Sequence, residues 1–199
     1  MATYKGPKNK LSRREGMDLF NKGEKLRRAE IPPGMHGKKT GRKQSDYGRQ
    51  LRSKQKAKRM YGIMEKQFRN YVLKAYKTKG NVGAELVTLV ERRLDNTLYR
   101  LGIVPTRRSA RQLISHGHVM INGLRVNIPS YSVNVGDVIG LDPKVEDNAA
   151  IRRMEEIGLG TPPEWLERKD RSGKVIRMPE ITDLKEPISI VDIIEFYSR

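Results

Sequence analysis

Cysteine is absent from the 199 residues of this chain. That excludes disulfides, thiol nucleophiles, thiolate zinc sites and iron–sulfur clusters, and it fits a reducing compartment. No apolar run approaches the ~18 residues of a membrane-spanning helix. The opening MATYKGPKNK lacks the apolar core of a secretory signal. A soluble, non-exported, cytoplasmic protein is expected. Aromatics are sparse at 6%, and hydrophobic residues reach only 36%. The core is therefore expected to be thin, with part of the chain outside it. The length suits one or two domains and excludes a large multidomain enzyme.

Acidic residues are also scarce relative to basic ones. The chain carries 41 Lys+Arg against 23 Asp+Glu, a net charge of +18. The excess sits at one end. Residues 1–60 hold 19 cations and 5 acids, residues 61–150 hold 13 and 8, and residues 151–199 hold 9 and 10. So dense a basic surface repels itself unless a polyanion covers it. The asymmetry reads as a basic arm that meets nucleic acid, joined to a more ordinary folded body.

Residues 1–45 form that arm. The stretch Ile31-Pro32-Pro33-Gly34-Met35-His36-Gly37 can be neither a long helix nor a central strand. The arm is expected to be extended and ordered mainly by its partner, with one short helix near Arg13–Phe20. Ser45 is placed to cap a helix from Asp46 to Met60, which Gly62 ends. A second helix is expected from Glu65 to Lys77, with Phe68, Val72 and Ala75 on one face. A third starts at about Ala84 and carries Leu86, Leu89, Val90 and Leu94 at helical spacing. Residues 46–91, completed by part of the C-terminus, then make an all-helical domain.

Residues 92–155 follow a different pattern. Leu94, Leu98 and Leu101 mark a helical face that Gly102 stops. Thr106 can cap a second helix over RRSARQLISH, with Ala110, Leu113 and Ile114 inward and Arg107, Arg108 and Arg111 outward. In VMINGLRVNI the Asn122-Gly123 pair between two alternating runs signals a hairpin. Strands are expected at Tyr131–Val135 and Val138–Leu141. Residues 156–199 are expected to pack on both domains. There, Lys169–Lys174 reads as a loop and Val175–Met178 as a strand. The ending PISIVDIIEFYSR mixes strand and helix signals. The fold class is α+β, with a basic arm, an all-helical domain and an inserted small α/β module.

The residue pattern points to phosphate binding. Arg107, Arg108 and Arg111 are spaced one, three and four apart, so 107/111 and 108/111 share faces. Guanidinium groups bond two phosphate oxygens at once. Lys54, Lys56, Lys58 and Arg59 extend the basic surface over more than one helical face, so some only meet solvent. Lys5, Lys8, Lys10, Arg13 and Arg14 are the arm's candidates. Tyr4, Tyr47, Tyr61 and His36 can stack on unpaired bases, although packing is the better reading of Tyr47 and Tyr61. Arg69 and Arg100 stand as RNA contacts or as partners of nearby acids. A His116/His118 metal site lacks a third ligand nearby in sequence and ranks below phosphate contact.

Catalysis finds no support in the sequence. Gly34-Met35-His36-Gly37-Lys38-Lys39-Thr40 has the wrong glycine spacing for a phosphate-binding loop and follows a Pro-Pro pair where a strand should stand. Asp95, Asp137 and Asp142 make no convincing pair with a base. Two binding alternatives remain: a free-standing RNA-binding regulator or translational repressor, and a DNA-binding regulator. The long basic arm speaks against the first, and against the second speaks a helix pair around residues 91–116 whose second helix leads directly into a hairpin.

The segment RRLDNTLYRLGIVPTRRSARQLISHGHVMINGLRVNIPSYSVNVGD resembles the small RNA-binding module named after the fourth protein of the small ribosomal subunit. YKGPKNKLSRREG, PPGMHGKK, SDYGRQLRSKQKAKRMYGIMEKQFRNY and the terminal EFYSR extend the resemblance to the bacterial-type ribosomal family over essentially the whole chain. The resemblance implies a primary binder of 16S rRNA that grips a helical junction in the 5′ domain and nucleates assembly of the subunit body. It also implies a place near the mRNA entrance, where the family influences decoding accuracy together with the fifth small-subunit protein. No cofactor, metal, membrane or small-molecule substrate is implied. Arg107, Arg108, Ser109, Arg111, Gln112, His116, Gly117, His118, Asn122 and Gly123 are, by resemblance, the module's RNA-facing surface and turn. Many relatives hold zinc with four N-terminal cysteines. Here the first pair reads Asn9 and Ser12 and the second pair is deleted, so RNA contacts and local packing must order the arm.

Overall fold

A computed structural model of the chain describes residues 4–20, 23, 31–37, 44–145, 151–152, 160–184 and 186–198. In chain order its main elements are α1 (Lys8–Glu15), α2 (Asp46–Met60), α3 (Glu65–Lys77), α4 (Val82–Glu91), α5 (Leu94–Arg100) and α6 (Arg107–Ser115). There follow β1 (Val119–Ile121), β2 (Leu124–Val126), β3 (Val138–Leu141), β4 (Leu166–Lys169), β5 (Ser172–Val175) and α7 (Ile190–Tyr197). Two compact units result. One joins Met1–Lys77 to Glu186–Arg199, and the other spans Thr78–Lys185. Among the described residues, no helix is long and apolar enough to cross a membrane.

The first unit is helical. The Ser45 hydroxyl accepts the Gly48 amide at 3.2 Å and starts α2, as its sequence predicts. Gln50, Lys54 and Ala57 recur at helical spacing on the buried side of α2. Helix α7 packs along α2, so the ambiguous C-terminal segment resolves as helix. Ser189 caps it, Ser53 donates to Asp192 at 2.8 Å, and Gln50 donates to Glu195 at 2.7 Å. Phe68, Val72 and Ala75 of α3 are buried, as expected. The arm helix α1 begins earlier than its sequence suggests. Gly16, at φ 65, ends it in the left-handed conformation that glycine adopts without strain. Asp18 then accepts the amides of Phe20 and Gly23, at 3.0 and 2.8 Å, and so turns the chain where the helix was expected to continue to Phe20.

The second unit packs α4, α5 and α6 with a five-stranded antiparallel sheet of order β2-β1-β3-β5-β4. The Asn122-Gly123 turn forms as predicted, with φ 50 and 81, and it sets the register Ile121↔Leu124. Leu94, Leu98, Leu101, Ala110, Ile114, Val119, Ile139 and Trp165 lie in one core cluster. Each large apolar side chain buried there contributes about 1.5–3 kcal/mol by transfer. Three expectations of strand and loop fail, one of them at Val175–Met178, because the strand there runs earlier, over Ser172–Val175. Tyr131–Val135 forms no strand and, among the described residues, makes one isolated bridge, Arg93↔Ser132. Its backbone pairs instead with the α4–α5 junction: Leu94 N donates to Tyr131 O at 2.8 Å, and Val133 N to Arg92 O at 2.9 Å. The expected Lys169–Lys174 loop is instead a hairpin that turns at Asp170, whose φ is 52. Gly173 on β5 leaves room for Leu101, since a Cβ there would collide with the Leu101 side chain.

Candidate nucleic-acid interface

In the second unit, α6 turns Ala110, Leu113 and Ile114 inward and exposes Arg108 and Gln112, but Arg111, expected to face outward, is only 13% exposed because it pairs with buried Asp95. The Thr106 hydroxyl accepts the Ser109 amide at 3.1 Å, and the Ser109 hydroxyl accepts the Thr106 amide at 3.2 Å. This capping box fixes the helix start and occupies Ser109 locally. Arg108, Gln112 and His116 are exposed and recur at a spacing of four, so they form one line along the outer face.

Arg107 and Arg111 flank that line, but not as freely extended side chains. Arg111 places Nε and Nη2 at 3.1 and 2.6 Å from Asp95 Oδ2. Arg107 donates from Nε to Asn96 Oδ1 at 2.7 Å, and its guanidinium lies 4.4 Å from the Tyr99 ring centroid. Both partners stand on the first turn of α5. Their anchors run deeper. Asp95 also binds Arg93 at 3.1 and 2.8 Å, and the side chains of both are almost fully buried. Asn96 donates to Glu91 Oε2 at 2.9 Å, and Glu91 holds Arg100 through two bonds of 2.9 and 2.8 Å. Arg100 is thus a partner of a neighbouring acid, one of the two roles left open for it.

His116 and His118 meet edge to face, with centroids 6.0 Å apart. Among the described residues, no cluster of three His, Cys, Asp or Glu side chains forms a candidate metal site. The Asn122 side chain is engaged within the fold: it donates to Asp137 Oδ1 and accepts the Val138 amide, both at 2.9 Å. Arg125 of β2 is a surface cation the sequence reading passed over. Its side chain is 61% exposed, lies against Gly117 at the end of α6, and pairs with Asp142 at 2.5 Å. An amide hydrogen bond from Lys144 holds the Asp142 carboxyl below its ordinary range; burial opposes this and Arg125 adds to it.

The first unit uses many of its predicted contact residues internally. Lys54 is the largest departure from the sequence reading. It is buried, donates to Glu65 at 2.8 Å, and sits 4.3 Å from the Phe196 ring centroid. Lys58 also donates to Glu65, at 3.0 Å, and Tyr197 donates to the same carboxylate at 2.8 Å. Burial pushes the Glu65 carboxyl up, but those hydrogen bonds outweigh it and hold its pKa at about 2. Burial likewise raises the Tyr197 hydroxyl, and Glu65 raises it further. Arg59 and Arg52 converge on Glu15, whose side chain is 1% exposed, Arg52 at 3.1 Å. Arg13 donates to the carbonyls of Ile31 and Pro32, at 2.9 and 3.2 Å, and folds the arm back on itself. Lys8 lies 5.6 Å from the Phe20 ring centroid. Lys5, Lys10, Arg14, His36 and Arg69 are exposed, and Lys56 is half-buried. Tyr61 is buried, as packing requires; Tyr47 rests 5.6 Å from Phe196 but is half exposed, and Tyr4 is exposed.

Residues 3–91 match the family described as Ribosomal protein S4/S9 N-terminal domain, and residues 92–139 match the S4 domain. Curated relatives named small ribosomal subunit protein uS4 align over the full length of both chains. The Amoebophilus asiaticus protein is 47% identical over 201 residues, that of Desulfitobacterium hafniense 45% over 208, and that of Natranaerobius thermophilus 44% over 209. Full-length similarity of this strength places the chain in the uS4 family of small-subunit ribosomal proteins.

Proposed function

We propose that this chain is a structural constituent of the small ribosomal subunit that binds 16S rRNA at a helical junction of the 5′ domain. It reads the RNA by shape, through phosphates and sugars more than through base edges. Its role is architectural, not catalytic. The exposed row of Arg108, Gln112 and His116 on α6, flanked by the anchored Arg107 and Arg111, is the observation that carries this reading. The exposed arm cations Lys5, Lys10 and Arg14, with Arg69 of α3, supply a second contact area. Early binding there nucleates assembly of the subunit body. The chain works in the cytoplasm, beside the fifth small-subunit protein and near the mRNA entrance, where the two influence decoding accuracy. The family resemblance supports these finer assignments.

The test is binding of the full chain to a 5′-domain rRNA fragment, an unrelated duplex RNA and a duplex DNA across a salt series. Neutralising ~6–10 phosphates on B-form DNA lowers affinity by roughly 10³–10⁵ between about 50 and 200 mM salt. Preference for the rRNA fragment that survives high salt is the expected result. Equal, salt-labile binding to all three would reduce the chain to a generic polycation.

A further inference from the structure

We propose that Asp95 and Asn96 are positioning residues, which hold Arg111 and Arg107 in fixed orientation and so turn a charged helix edge into one that discriminates among RNAs. The inference rests on the rRNA-binding reading above and deepens it. Both residues sit in the first turn of α5, and their side chains are buried. Each reaches one arginine of the neighbouring helix: Asp95 takes two nitrogens of Arg111, and Asn96 takes Nε of Arg107. The anchors are themselves fixed. Asp95 is locked by buried Arg93, and Asn96 by Glu91, which Arg100 holds in turn. Two chains of hydrogen bonds therefore run from the core of the second unit to the partly buried guanidinium groups of Arg107 and Arg111.

The physical consequence concerns selectivity more than raw attraction. A flexible surface arginine meets any phosphate it can reach and loses rotamer freedom each time. An arginine already held in place loses less, but only toward phosphates that lie where its donors point. The Asp95 carboxylate also offsets part of the Arg111 charge, which weakens its pull on a generic polyanion. Lysine at position 111 would keep the charge and lose the planar fork that holds Arg111 to Asp95 at two points. Arg108, in the exposed row of the same helix, is the natural internal contrast.

The experiment uses the full chain with two substitutions, Arg111→Lys and Asn96→Ala. Affinity is measured for the 5′-domain rRNA fragment and for an unrelated duplex RNA, and the ratio is the readout. Arg111→Lys preserves the charge opposite Asp95, at a side chain only 13% exposed, and the circular dichroism spectrum of each variant reports whether its fold is retained. The expected result is a loss of about tenfold on the rRNA fragment, with duplex binding within about twofold of the original. Equal losses on both RNAs would mean a role in charge or fold alone, and no loss on either would mean no role in binding. Either outcome overturns the proposal. A starting protein that does not discriminate would overturn the functional reading, and this inference with it. A discriminating protein whose variants discriminate equally well would overturn this inference alone.

Discussion

The two units use their basic residues for different tasks. In the first, Lys54, Lys58 and Arg59 turn inward to Glu65 and Glu15, and Arg13 turns to the backbone of its own arm. These cations hold helices together. In the second, Arg93 and Arg100 are taken into the interior, while α6 presents Arg108 outward and keeps Arg107 and Arg111 braced at its edge. A count of cations therefore gives the sign of the partner but not the surface that meets it. Acids placed within the fold, buried as Glu15 is or half-exposed as Glu65 is, decide that surface, because each one draws in neighbouring guanidinium or ammonium groups.

The most severe way to break the second unit is to remove its internal anion. Asp95→Ala removes the carboxylate that bonds the Arg93 guanidinium twice, at a side chain only 1% exposed. The expected destabilisation is about 4 kcal/mol. Trp165, the one tryptophan of the chain and fully buried in this unit, reports the loss by fluorescence in a denaturant titration. Glu65→Ala is the counterpart in the first unit. It strips Lys54, Lys58 and Tyr197 of a shared partner that is itself 45% exposed. A smaller loss, about 2 kcal/mol, is expected there, read by circular dichroism.

Acid sharpens the contrast further. The Glu65 carboxyl is held at about 2, below its ordinary value. A depressed folded-state pKa contributes stability that is fully present above the ordinary pKa of about 4.3 and is lost as pH falls toward 2. Glu65→Gln should flatten the stability profile of the first unit across that window. Asp183 of the second unit is also lowered: burial raises it, but Arg177 and the Glu180 amide outweigh that. Its own acid dependence, followed at Trp165, should survive Glu65→Gln unchanged.

Much of this architecture was legible in the sequence. Ser45, Gly62 and the apolar stripe through Phe68, Val72 and Ala75 place α2 and α3 at the bounds observed. Thr106 and Asn122-Gly123 mark the start of α6 and the β1–β2 turn by local chemistry alone. The β4–β5 hairpin escaped because Leu166–Lys169 is mostly polar and its turn uses Asp170 instead of glycine. Tyr131–Val135 has a strand's composition but finds its hydrogen-bond partners on a helix junction. The site was less legible than the fold. Lys54 and Arg108 look alike as letters, and what separates them is Glu65 and Phe196, 11 and 142 positions from Lys54. A visible signal was the charged run Glu91-Arg92-Arg93 with Asp95, which interrupts two apolar helical stripes. Charge at such a junction marks buried pairs.

One paired measurement tests the division of labour most directly: the affinity of the full chain for the 5′-domain rRNA fragment with Arg108→Ala and, separately, with Lys54→Met. Methionine fills the lysine's place without its charge, and Lys58 and Tyr197 still bond the Glu65 carboxylate, so Glu65 is not left unpaired. Arg108→Ala should weaken binding by about tenfold and lower the salt slope by about one. Lys54→Met should leave affinity within about twofold and the slope unchanged. The reverse pattern, with Lys54→Met lowering the slope and Arg108→Ala silent, would contradict the account.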